Sequence, residues 1–327
     1  VTAVRAGEST SIIEGASIMR GSALAMSMAC MAFAGCWLAA ASHAASFVDA
    51  INEEAKTATI EVIPIRGGIS VLRGSGANVT VLNTPHEKFL VDAGISYSKA
   101  NMIRALNSIS SAPPRYLVNT DFHWDHTDGD EWVHLMGASI IAQENTLNRL
   151  VVETRVEDWD FTFPSAPYDA RPTFLVRYDK SLHFHGTTIE FKYYGRAHTD
   201  TDIWVYFVEP DVLSTGDTFC NGCYPFIDNH NGGSIDGMIR AAQANVAKAS
   251  DHTVVVPGHG PIGGRAELIE FRDMLMAVRE KVAALKSGGM PRAQVIAAAP
   301  TEGFDAKWGG SVIDGAFFTR LVYDGLK

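Results

Sequence analysis

The stretch Asp121-Phe122-His123-Trp124-Asp125-His126 decides how this chain is read. It sets two carboxylates and two imidazoles close together, directly after an apolar run, Tyr116-Leu117-Val118, that reads as a buried strand. In an extended segment Asp121 and His123 point to the same side. Asp125 and His126 follow in a turn and face a second point nearby. Carboxylate oxygen and imidazole nitrogen are ordinary zinc ligands. Burying such a set without a cation between its members is costly.

Three further signals lie downstream. His198 stands in Gly195-Arg196-Ala197-His198-Thr199-Asp200, just past a strand ending at Tyr194. Asp217 stands in Ser214-Thr215-Gly216-Asp217-Thr218, past the strand Val212–Thr215. His259 stands in Val256-Pro257-Gly258-His259-Gly260, past the strand Thr253–Val256. Every candidate ligand therefore follows the C-terminal end of a strand, where an α/β scaffold presents a site along one edge. The glycines beside them let the backbone turn sharply.

Working outward, four short strands come first, Ala58–Pro64, Gly68–Arg73, Asn78–Asn83 and Lys88–Ala93, punctuated by glycine and proline as in a meander. A helix over Lys99–Ile109, the strand Arg115–Asn119, a helix near Asp128, the strand Ser139–Ala142 and a helix over Glu144–Thr154 follow. Glu157–Arg171 reads as an aromatic, proline-rich loop beside the site. The second half repeats the theme. It has strands at Thr187–Tyr194, Ile203–Val208 and Val212–Thr215, helices at Ser234–Ser250 and Ala266–Lys286, and a last helix near Val312–Leu326. Two batches of strands, each followed by helices, predict an α/β fold: an αββα sandwich of two mixed sheets with helices on the outer faces. Residues 45–327 read as one domain.

The ordered set of motifs resembles the metallo-β-lactamase fold superfamily, whose signature is H-x-H-x-D-H followed by a separate His, an Asp or Cys, and a His. The resemblance runs from the first strands to the long helix. It implies that His123 and His198, with Asp121 in the place of the family's first histidine, hold one zinc ion. It implies that Asp125, His126 and His259 hold a second, and that Asp217 bridges or caps the two. Asp121 is the departure. A carboxylate still ligates zinc, but it lowers the Lewis acidity of that position and suits a harder ion such as manganese. The implied chemistry is hydrolysis by a hydroxide that two zinc ions activate, with Asp125 both a ligand and the group that orients the nucleophile. Tyr224, Asn229 and His230, in the loop after Asp217, are candidate substrate contacts. Trp124 reads as packing beneath the metal loop, and His183 and His185 as surface residues.

Composition narrows the function further. The 327 residues are 46% hydrophobic and 20% charged, with a formal net charge of −10 and no basic run. That weighs against nucleic acid and favours a small-molecule substrate. Met19-Arg20, the apolar Ala23–Ala41 and the small-x-small Ser42-His43-Ala44 read as upstream residues and a secretory signal peptide over 1–44, cut after Ala44. An uncleaved membrane anchor is the alternative. Export predicts a periplasmic or secreted protein with no lasting membrane insertion. Cys220 and Cys223 would then form a local disulfide or remain as two free thiols. Three functions fit: an exported zinc hydrolase opening a β-lactam ring, a glyoxalase II-like thioesterase or lactonase, and a metal-dependent accessory protein without catalysis.

Overall fold

A computed structural model describes residues 46–326. The expected signal segment and its cleavage point lie outside the described residues. The chain opens with α1 (Phe47–Thr57), which the sequence reading missed. Its start is set by a capping box: Ser46 Oγ accepts from the Asp49 amide, and the Ser46 amide donates to Asp49 Oδ2 (both 3.1 Å).

β1 (Glu61–Pro64), β2 (Ile69–Arg73), β3 (Val79–Asn83) and β4 (Lys88–Val91) form the expected antiparallel meander. After α2 (Lys99–Ile109), β5 (Pro114–Val118) joins β4 in parallel. The motif loop then carries two short helices, α3 (Trp124–Thr127) and α4 (Asp130–Leu135). β6 (Ser139–Gln143) lies parallel to β5 and leads into α5 (Glu144–Leu150). The expected helix over Glu144–Thr154 stops there, because β7 (Thr154–Val156) follows and pairs with β8 (Phe161–Phe163), a strand inside the expected loop. β9 (Phe174–Val176) closes the first sheet, in the order β1-β2-β3-β4-β5-β6-β9.

The second sheet runs β10 (Lys180–Phe184), β11 (Thr187–Tyr193), β12 (Ile203–Phe207), β13 (Val212–Ser214) and β14 (Val254–Val256), with only the last pair parallel. α6 (Ile235–Lys248) separates β13 from β14. α7 (Arg265–Ser287), α8 (Arg292–Ala297), α9 (Asp305–Trp308) and α10 (Gly315–Gly325) end the chain. The last helix begins later than Val312 because Asp314 caps it, accepting from the Phe317 amide at 2.7 Å.

The two sheets face each other across an apolar core. Val71, Phe89, Val91 and Val118 from the first meet Phe184, Phe191, Val205 and Phe207 from the second. Phe89 touches Phe184 and Phe207 edge-on, with centroids 5.7 and 5.9 Å apart. α2 and α4 cover the outer face of the first sheet through Met102, Leu106 and Val133. α6, α7 and α10 cover the second through Met238, Phe271, Leu275 and Phe318. The αββα sandwich is the architecture observed. Among the described residues no helix is long and apolar enough to cross a membrane.

Candidate metal centre

The strand ends of both sheets converge on one edge. Asp92 follows β4, the motif Asp121–His126 follows β5, His198 and Asp202 lie in the turn from β11 to β12, Asp217 follows β13, and His259 follows β14. Backbone hydrogen bonds lock these turns together. The Ile203 amide donates to Thr120 O (2.9 Å), the Ala77 amide to Asp125 O (3.2 Å) and the Gly258 amide to Gly216 O (2.9 Å). Gly258 is required by close approach: a Cβ there would lie 2.0 Å from Asp217 Oδ1.

The donor atoms form two main triads, Asp121–His123–His198 and Asp125–His126–His259, each with its atoms within 4.8 Å of one another. A third, Asp121–His126–Asp217, joins them. These are the seven residues named from the sequence. Asp217 sits centrally: its Oδ1 is 3.2 Å from His126 Nε2 and 3.3 Å from His259 Nε2, and its Oδ2 is 3.6 Å from His198 Nε2. Asp121 Oδ1 accepts the His123 amide at 2.8 Å, while Oδ2 faces His126 Nε2 at 3.5 Å. Asp121 therefore belongs to both halves of the cluster.

Four atoms of this cluster are buried with no hydrogen-bond partner: Asp121 Oδ2, His126 Nε2, His198 Nε2 and Asp217 Oδ1. Buried polar groups are nearly always paired. Orphans that share one small space, and combine nitrogen with carboxylate oxygen, have the chemistry of a divalent metal's donor set. The residues present fit such ions.

Three carboxylates that the sequence reading missed hold the imidazoles from behind. Asp228 Oδ2 lies 3.1 Å from His123 Nε2, Asp202 Oδ1 lies 3.2 Å from His198 Nδ1, and Asp92 Oδ2 lies 3.1 Å from His126 Nδ1. Each pairing leaves the other ring nitrogen facing the cluster. Asp228 is itself braced by the Asn231 amide (3.0 Å) and side chain (2.8 Å).

Electrostatics separates Asp121 from the other acids. Burial would raise all three carboxyls. His126 and His259 outweigh it at Asp125, and His259 and His126 outweigh it at Asp217, so both stay below the usual carboxylate range, Asp217 well below. Burial wins at Asp121 and pushes its carboxyl up to about 6, despite His126, His198 and His123. Burial opposes protonation of the histidines, yet Asp202, Asp217 and Asp121 lift His198 to about 9. Asp217 and Asp125 lift His259 to about 10.

A cavity of about 330 Å³ opens onto Asp125, Asp217 and His259. The Cys220–Cys223 disulfide forms part of its wall, which resolves the two thiol alternatives. Tyr224 reaches the wall, but its hydroxyl turns away to Asp305 Oδ1 (2.8 Å) and its ring stacks on Phe318 at 4.7 Å. Asn229 donates to Leu321 O on α10 (2.9 Å), and His230 is exposed; neither lines the cavity. The loop after Asp217 runs back toward α10 at this point. Trp124 packs beside the metal loop as expected, its ring edge-on to Trp159 at 5.0 Å. His183 and His185 are exposed.

Residues 72–259, more than half of the chain, match the family described as the metallo-beta-lactamase superfamily. No curated protein matches. Among solved structures, a metallo-beta-lactamase from Pontibacter korlensis is 19% identical with a TM-score of 0.55, covering 67% of this chain and 99% of that one. The DIM-1 metallo-beta-lactamase is 20% identical with a TM-score of 0.52, covering 67% and 97%. A double mutant of the sec-alkyl sulfatase PisA1 is 17% identical with a TM-score of 0.63, covering 85% and 53%. These likenesses carry the fold. With the family match and the triads in place, the chain belongs to the metallo-β-lactamase superfamily and has the site of a metal-dependent hydrolase of that fold.

Proposed function

We propose that this protein is a dinuclear zinc hydrolase that cleaves an acyl bond in a small molecule. The observation that carries the reading is the convergence of Asp121 Oδ2, His126 Nε2, His198 Nε2 and Asp217 Oδ1 without partners. His123, His198 and Asp121 would hold one ion, Asp125, His126 and His259 the other, and Asp217 would lie between them. Zinc bound there supplies Lewis acidity and lowers the pKa of water toward neutrality.

The chain's own residues supply the rest. Asp125 Oδ2, 3.2 Å from His259 Nε2 and at the cavity floor, orients the attacking water and takes its proton. Asp228, Asp202 and Asp92 keep the imidazoles in one orientation, so the donors need no rearrangement. Trp124, Trp159 and Phe226 shield the floor from bulk water.

Opening of a β-lactam is the first form of this reading, supported by the leader-like segment. Export also fits the Cys220–Cys223 disulfide, which persists in an oxidising compartment such as a periplasm. Ester or thioester cleavage is the second form, supported by a carboxylate, Asp217, at the central position. Hydrolysis of a penicillin, a cephalosporin, a carbapenem, a lactone and a thioester by the zinc-loaded protein, with and without a chelator, tests it. Chelator-sensitive turnover of any of them is expected. Metal bound by mass spectrometry with turnover of none would favour an accessory protein.

A further inference from the structure

The cavity above the metal floor has a composition that bears on substrate charge. Its walls come from four separate segments: Phe47 and Ile51 on α1, Trp159 between β7 and β8, Phe226 beside the disulfide loop, and Ile313 before α10. Phe226 lies against Trp159 with centroids 4.7 Å apart, and Phe317 of α10 backs Phe226. Apart from the floor residues, the charged side chain on this wall is Glu54, on the exposed side of α1. Among the described residues no lysine or arginine lines the cavity. Arg320, on the helix behind Phe226, is held by Asp158 at 2.8 Å.

An anionic substrate entering here would leave water for an apolar wall with no lysine or arginine on it, and would pass a carboxylate at the rim. The two divalent ions the floor would hold are already outweighed by the carboxylates of Asp121, Asp125 and Asp217 and of Asp92, Asp202 and Asp228 behind them. Uncompensated transfer of a charge is costly, and a like charge within a few ångströms adds to the cost. A neutral substrate loses nothing on that account. A cationic one gains from Glu54 at the rim.

We infer that this cavity selects an uncharged or cationic acyl compound with an aromatic or branched apolar body, a neutral ester or lactone in the first place. It disfavours anionic compounds, sulfate esters and carboxylate-bearing β-lactams among them, and so favours the second of the two proposed forms, ester cleavage, over the first. The inference rests on the hydrolase reading for its chemistry and on the cavity wall for its selectivity, so two measurements separate them.

The first is binding to the zinc-loaded protein, followed by tryptophan fluorescence, of benzyltrimethylammonium and benzylsulfonate. These are similar in shape and opposite in charge, and the sulfonate is a weak metal ligand. The cation should bind about tenfold or more tighter, and Glu54→Lys should narrow or reverse that ratio. Equal affinities, or a ratio untouched by Glu54→Lys, would overturn the charge selection. The second compares chelator-sensitive kcat/KM for phenyl acetate and benzylpenicillin. Turnover of the ester well above the penicillin is expected. Comparable turnover of both would overturn the charge selection and leave the hydrolase standing. Turnover of neither, with the binding preference intact, would overturn the hydrolase chemistry and leave the selectivity of the cavity standing.

Discussion

The floor of the site and its walls are assembled differently. The floor takes its donors from the ends of β5, β13 and β14 and the β11–β12 turn, so two packed sheets and their common core fix its geometry. The walls come from α1, the β7–β8 hairpin, the disulfide loop and the segment before α10, none of which is a strand of either large sheet. Chemistry that tolerates little displacement sits on the rigid part, and substrate choice sits on the part that can vary. Floor variants should therefore change metal content or the chemical step, and wall variants should change substrate preference while metal content stays constant.

The largest effect should come from the floor. Asp125→Ala removes a donor and the group placed to move the proton; kcat/KM should fall roughly a thousandfold, with less than a full complement of metal per chain. Unchanged metal content and rate would break the division between the regions.

One layer out, Asp228→Ala frees the His123 ring from its 3.1 Å contact. Metal affinity at that half should drop about 10- to 100-fold, read by competition with a chelating dye, while fluorescence binding of benzyltrimethylammonium is retained. On the wall, Trp159→Ala should raise KM for aromatic esters about tenfold and leave the metal count unchanged. Loss of metal in that variant would show that the hairpin supports the floor and would blur the distinction.

A pH series sharpens the contrast without mutation. His198 and His259 have folded-state values of about 9 and about 10, above the ordinary histidine value of 6.5. In the metal-free protein they stabilise the fold fully below pH 6.5, and that contribution disappears as pH rises through 9 and 10. The melting temperature of the metal-free protein should therefore fall between pH 6.5 and 10. Zinc should flatten that fall, because a ligating imidazole carries no proton to lose. Parallel slopes with and without zinc would show that the histidines do not face the metal.

The same division explains what could be read from the sequence. The seven floor donors lie in short motifs at strand ends, where period-2 runs and glycines announce the turns, so the sandwich and the donors were legible together. The outer carboxylates were not: Asp228 is 105 residues from His123, and nothing local marks the pairing. Asp202 did carry a usable signal, since it stands at a strand edge beside the His198 motif, and Asp92 a weaker one, as an acid at the end of a strand. α1 had one as well, in the Ser46/Asp49 capping box, but it directly follows the leader-like stretch and was passed over. Asn229 and His230 lie off the cavity, and a position in a loop carries no direction by which the sequence could have placed them. The wall has no period because its members come from four unrelated segments.

Counting metal is the most direct measurement. The purified protein, saturated with zinc and freed of excess, should carry two zinc ions per chain by mass spectrometry. A chelator should remove metal and acyl hydrolase activity together, and Asp121→His should keep the same count. One ion or none per chain would contradict a dinuclear site and leave the buried donors to be satisfied by protons alone.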